Sequence, residues 1–250
     1  MAQGTRGRVE VWEDFTSMPD DGGLTIVDAT GVAFNGLRLN AISGDVVMDT
    51  VVTLGGGMAS FSGAGAAADG INISSAPFIP ADGHMWMECR FKYAAWADAQ
   101  VFVGFQETLD RDEAVNPFTL SGTTLTDNST GNTWGIYYDT TATTDDFRAA
   151  ASAAGTILAA SGTLGVRANA TLTADKFVVV RVELNPAGGG EVYFGDTGSG
   201  ELKLVDILPN GSLSTTAAYH PVAHLCAAST GDELMTVDYF GCGGGRSWTP

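Results

Sequence analysis

Positive charge is scarce in this chain. Twelve Lys and Arg stand against 29 Asp and Glu across 250 residues, a formal net charge of −17. Contact with a phosphate backbone needs clustered cations that displace counterions, so direct nucleic-acid binding is not expected. Cysteine is also sparse: Cys89, Cys226 and Cys242 are odd in number and nowhere spaced CxxC. That speaks against a disulfide framework, a metal site or a redox site, and the three read as reduced core thiols. No stretch of about 18 apolar residues is present, so no membrane-spanning helix is expected. Met1 to Arg8 is polar, with no apolar segment of the kind that directs secretion, and the expectation is synthesis and folding in the cytoplasm. The 33 glycines follow no fixed period, which removes collagen-like and solenoid readings. Amphipathic helices are missing too. The Ala-rich stretch 149–160 is interrupted by Gly155, Thr156 and Ile157 and reads as strand or loop.

What is present is a folding composition, with 44% hydrophobic and 16% charged residues. A chain of this length buries enough surface to need no covalent staple. Short runs rich in Val, Ile, Phe, Tyr, Trp and Thr, punctuated by Gly, Asp, Asn and Ser, predict strands over 9–15, 25–27, 34–39, 45–54, 85–93, 100–107, 133–138, 176–184, 191–194, 202–207, 222–227 and 234–241. Between 85 and 93, Glu88, Arg90 and Lys92 alternate with Met87, Cys89, Phe91 and Tyr93, which gives that strand one wet face. Residues 177–180 (FVVV) are continuously apolar, as in a strand central to the packing. Residues 185–190 (NPAGGG) read as a hairpin loop, and 229–232 as the turn before the last strand. Residues 120–133 and 140–146 read as exposed, Thr-rich loops. Many short strands without helical crossovers predict an all-β, two-sheet antiparallel sandwich with Greek-key or jelly-roll connections over 9–250, preceded by an N-terminal arm, 1–8.

Residues 9–15 (VEVWEDF), 85–91 (MWMECRF), 101–107 (VFVGFQE), 134–138 (WGIYY), 177–183 (FVVVRVE) and 235–240 (MTVDYF) together make the chain resemble the concanavalin A-like jelly-roll superfamily. More narrowly it resembles the sandwich domains of bacteriophage structural proteins. The resemblance implies that the opening strand lies beside the closing one, so Trp12 and Tyr239 should be neighbours. It does not select a function, because lectins, carbohydrate-binding modules, glycosidases, lyases and virion proteins share the fold.

Catalytic chemistry is hard to find. A glycosidase on this sandwich needs two carboxylates flanking the bond on one face. Glu10 and Glu13 fall on opposite faces of an extended strand, with Asp14 following, and Glu107, Asp110, Asp112 and Glu113 run off a strand end into a loop. His220 and His224, four apart, lie roughly 13 Å apart on a strand, and Pro221 argues against the helix that would bring them together for a metal. His84 sits in a turn. The side chains of Tyr219 and His220, the pair a lyase would need, point apart. Asp110–Glu113, Asp127 with Asn128, and Asp196 offer oxygens but no complete calcium loop. The sequons at Asn72, Asn128, Asn169 and Asn210 read as products of a Ser/Thr-rich composition. No enzyme, cofactor or metal is expected.

A sugar platform would take the form of an exposed aromatic beside Asn or Asp. Trp134 with Asn132 is the leading pair, followed by Trp96 with Asp98 and by Trp248, whereas Trp12 and Trp86 read as core. The leading expectation from the resemblance is a non-enzymatic capsid decoration (cement) protein on the virion surface. Its partners would be the major capsid protein and two further copies in a homotrimer, with Arg6 and Arg8 as a basic contact arm. The first alternative is a carbohydrate-binding or receptor-binding module of a phage tail. The second is a polysaccharide hydrolase or lyase.

Overall fold

The computed structural model describes residues 8–15, 24–27, 31–50, 57–63, 69–109, 116–121, 124–140, 146–158, 165–168, 172–197, 200–228 and 234–245. In chain order the strands are β1 (Arg8–Glu13), β2 (Leu24–Ile26), β3 (Val32–Phe34), β4 (Leu37–Ile42), β5 (Val46–Thr50), β6 (Ala59–Ser62), β7 (Gly70–Ser75), β8 (Met85–Tyr93), β9 (Ala99–Gln106) and β10 (Phe118–Ser121). They continue with β11 (Thr124–Asp127), β12 (Thr133–Asp139), β13 (Arg148–Ala153), β14 (Thr156–Ile157), β15 (Val166–Arg167), β16 (Val178–Leu184), β17 (Gly190–Gly195), β18 (Lys203–Leu208), β19 (His220–Ala227) and β20 (Leu234–Gly245).

Two nine-stranded antiparallel sheets face each other. The first runs β18-β17-β16-β8-β20-β6-β5-β2, with β1 also on β20, and the second runs β14-β13-β12-β9-β19-β7-β4-β3, with β15 on β13. This is the expected all-β sandwich. Alternation builds the core between the sheets. Met85, Met87, Cys89, Phe91 and Tyr93 of β8 point inward with Val180 and Val182 of β16, and meet Val101, Val103, Phe105, Trp134, Ile136 and Tyr138 from the second sheet. Each fully buried side chain of this size stabilises the fold by roughly 1.5–3 kcal/mol. β16 lies between β8 and β17, as its apolar run requires.

The opening strand does pair with the closing one. β1 runs antiparallel to the far half of β20, Arg8 opposite Gly245 and Glu13 opposite Phe240, while β6 takes the near half of the same edge. The other edge of β20 pairs with β8, with a bulge between Val237 and Tyr239. That extra residue shifts the alternation. Met235 and Val237 face the core before it, Phe240 and Cys242 after it, and Tyr239 is turned to the outer face.

Several boundaries differ from the sequence reading. The predicted strand 34–39 is a hairpin, β3 and β4 joined by Asn35 and Gly36, both at positive φ (47° and 91°). Asn-Gly is the preferred pair for such a two-residue turn, because its twist matches the flanking strands. Residues 120–133 are not a wholly exposed loop. β10 and β11 form a separate hairpin that lies on the outer face of the second sheet, where Phe118, Leu120 and Leu125 bury themselves against Phe102, Tyr137 and Val222. The stretch 149–160 gives strands β13 and β14. The NPAGGG hairpin is as expected, with the Asn185 side-chain oxygen accepting from the backbone N–H of Ala187 and Gly189. The turn expected at 229–232 lies outside the described residues, as do 141–145 of the second excursion.

Candidate functional site

The structure overturns the leading sugar platform. Trp134 is 0% exposed. It shares its parity on β12 with Ile136 and Tyr138, which face the core, and its indole N–H donates to the backbone oxygen of Glu183 in the opposing sheet (3.1 Å). Asn132 is occupied as well: its backbone N–H and its amide both donate to Glu107 (2.9 and 2.6 Å). Trp96 is buried and donates to the Thr173 oxygen. Trp248 lies outside the described residues, as does Arg6. Arg8 does not belong to a separate arm. It is the first residue of β1, and its guanidinium pairs with Glu10 (2.8 Å).

The catalytic candidates stay apart. Glu13 is buried, where it accepts from the Phe15 backbone N–H (2.6 Å) and from the Asn35 amide (2.7 Å) to lock the β3–β4 turn; Glu10 lies on the outer face. Asp110, Asp112 and Glu113 fall outside the described residues. On β19, His220 contacts the Ser75 oxygen, and His224 is buried 3.4 Å from the Cys226 sulfur. Tyr219 points into the core, away from His220. Asp127 accepts from Ser129 in an ordinary turn. Asn72, the first sequon, is buried on β7. All three cysteines are free and buried, and burial pushes each thiol up, Cys242 to about 12. Among the described residues no three His, Cys, Asp or Glu side chains gather as a metal would require.

A different surface gathers functional side chains, and it contains the two tryptophans expected in the core. Trp12 is 55% exposed. Strand pairing lines residues across the outer face of the first sheet in two rows. Trp12 faces Gly241, which faces Glu88, then Arg181, then Tyr193. Beside them run Glu10, Gly243, Trp86, Glu183, Glu191 and Ile207. With neighbouring strands about 4.8 Å apart, Trp12 to Tyr193 spans roughly 19 Å.

Glycine makes room for the rings. A Cβ on Gly241 would come within 2.4 Å of the Trp12 indole, so the ring lies directly on the β20 backbone. It also stacks on Tyr239 (centroids 4.8 Å apart, planes at 23°), the residue the bulge turns outward, and sits 6.4 Å from Trp86. Polar groups are fixed around this cluster. Arg181 donates to Glu183 through Nε (2.6 Å) and to Glu88 through Nη1 (3.2 Å), and its guanidinium lies 5.1 Å over the Trp86 ring. The Tyr239 hydroxyl donates to Glu88 (2.6 Å), and His84 Nε2 lies 3.0 Å from the other Glu183 oxygen. Burial, then the bonded Glu88, drives the Tyr239 phenol well above its usual range; the bond to Glu191 raises Tyr193 to about 12. Both hydroxyls therefore remain hydrogen-bond donors at neutral pH.

Such a surface holds an apolar ring face on its indoles and offers fixed carboxylate, guanidinium and hydroxyl groups at the edge. Sequence parity could have found it: Trp12 alternates with Val9 and Val11 in step with Glu10, and Trp86 keeps step with Glu88, Arg90 and Lys92.

No family model matches the chain, and no curated protein does. Solved structures do. A protein of unknown function from Shewanella oneidensis MR-1, SO2946, is 12% identical over 98% of this chain and 90% of that one, with a TM-score of 0.54. The carbohydrate recognition domain of Emp46p in its metal-free form is 9% identical over 92% and 97%, with a TM-score of 0.54. The Lotus tetragonolobus seed lectin is 8% identical over 90% and 100%, with a TM-score of 0.51. The chain therefore has the concanavalin A-like lectin fold.

Proposed function

We propose that this protein is a non-catalytic carbohydrate-binding protein that holds a glycan chain along the outer face of its first sheet. The observation that carries the reading is the half-exposed Trp12 indole, laid on Gly241, stacked on Tyr239 and continued by Trp86 with Arg181, Glu88, Glu183 and His84 fixed around it. Pyranose rings present a C–H face to an aromatic and a rim of hydroxyls to polar groups, and binding sites combine an apolar floor with a few fixed polar partners in this way. The lectins that share the fold support binding over a place on a capsid. The virion surface, the major capsid protein and a homotrimer draw no support from them. Hydrolysis is disfavoured by geometry: Arg181 bonds both Glu88 and Glu183 and so fills the space between them, where a scissile oxygen and a water would have to sit.

Calorimetry against a panel of neutral, acidic and amine-bearing oligosaccharides tests the reading. Saturable binding is expected, reduced at least about tenfold by Trp12→Ala, as for loss of an aromatic anchor. Trp12 is exposed, so the variant should keep its fold. No binding across the panel, or binding that Trp12→Ala and Arg181→Ala leave unchanged, would overturn the proposal.

A further inference from the structure

The same face carries a charge pattern that selects among glycans. Glu183 and Glu191 stand directly opposite each other on β16 and β17. Like charges in that position destabilise a sheet. Arg181 and His84 both serve Glu183, with Arg181 also reaching back to Glu88 on β8, whereas the Tyr193 hydroxyl, a neutral donor, serves Glu191. Along the two rows the carboxylates of Glu10, Glu88, Glu183 and Glu191 outnumber the single guanidinium of Arg181, and still do with Arg8 counted beside Glu10 and His84 beside Glu183, within a chain of net charge −17. Aromatic rings flank the glutamate pair, Trp86 on the Glu183 side and Tyr193 next to Glu191.

Resting on the binding reading above, we infer that the occupant is a linear glycan with free amines, a glucosamine-type polymer. One ammonium sits between Glu183 and Glu191 while the sugar rings lie over Trp12. The extended rows suit a chain rather than a single sugar. The fit is one of charge complementarity: an ammonium relieves the like-charge pair, a neutral sugar leaves it as it is, and a uronic acid worsens it.

The test compares a soluble β-1,4-linked glucosamine oligomer with its fully N-acetylated counterpart and with the matching glucose oligomer, by calorimetry in mildly acidic buffer. The glucosamine oligomer should bind about tenfold tighter than either at low salt, with the margin shrinking at high salt. Glu183→Gln with Glu191→Gln should remove the margin. Asp45→Asn with Glu201→Gln, exposed carboxylates off the two rows, makes the same change in net charge and should keep it. Equal affinity for the three oligomers overturns the amine inference and leaves the binding reading standing. Loss of the margin in the Asp45/Glu201 variant also overturns it, assigning the preference to bulk charge. Absence of binding by all three, together with the rest of the panel, overturns both.

Discussion

His224 offers a measurement of how the interior of the second sheet responds to acid. It lies buried on β19, flanked across the sheet by Asn72 of β7 and Phe102 of β9 and contacting the Cys226 sulfur. Burial without a compensating charge lowers its pKa from 6.5 to about 4. The unfolded chain therefore takes up a proton near pH 6.5 that the folded chain refuses until about pH 4. Stability attributable to this residue is intact above pH 6.5, falls as the pH drops through the window from 6.5 to 4, and levels off below it. At 1.36 kcal/mol per unit, a shift of about 2.5 units amounts to about 3 kcal/mol. The perturbation is His224→Gln, which keeps a polar side chain of similar volume that does not titrate. Urea unfolding of both proteins from pH 7.5 to 4, followed by fluorescence, isolates the effect as a difference. The wild type should be the more stable at pH 7.5, and its advantage should shrink by about 3 kcal/mol by pH 4, because the carboxylates common to both proteins cancel. Parallel stability curves would refute the reasoning, since they would mean that His224 takes up its proton alike in the folded and unfolded chains.

Two further substitutions separate the core from the outer face. Trp134→Ala empties a fully buried site and removes a hydrogen bond to the opposing sheet, so it should cost about 3–5 kcal/mol in chemical denaturation; at temperatures where the variant stays folded, its glycan affinity should match the wild type. Gly241→Ala should leave the strand in place but lift the Trp12 indole, which a Cβ would meet at 2.4 Å; the expected result is weaker glycan binding, comparable to Trp12→Ala, with a change in Trp fluorescence and a loss in stability of no more than about 1–3 kcal/mol.

Periodicity carried the sequence reading wherever one side of a strand is wet. The alternation in β8 and the apolar run in β16 located the first sheet, and the neighbouring placement of Trp12 and Tyr239 followed from the family resemblance. The same alternation, applied to β1, puts Trp12 in step with Glu10 on the outside; large aromatic size had argued for the core, and parity was the better guide. It would also have placed Trp134 with Ile136 inside. Other features had no local signature. β7 (Gly70–Ser75), with Asn72, Ser74 and Ser75 buried, does not look apolar enough for a central strand; its place in the sheet is set by pairing with β4 and β19, both distant in sequence. The bulge at Asp238 arises from pairing with β8, and Tyr239 could not be aimed from the sequence of β20 alone. The like-charge pair Glu183–Glu191 needs the register of the β16–β17 hairpin, and the proposed site needs five strands brought side by side.

The position of β20 also constrains the order of folding. It is the last of the described strands, yet it is inserted between β8 on one edge and both β6 and β1 on the other, so it joins the two halves of the first sheet. Until it arrives, β1 lacks the strand it pairs with and one edge of β8 stays open. Contacts this distant along the chain close slowly, and unpaired edges of this kind are where growing chains associate wrongly. A ribosome-bound chain stopped short of Leu234 can form the β16–β17 hairpin and much of the second sheet, but the surface on which Trp12 rests does not exist until β20 has emerged.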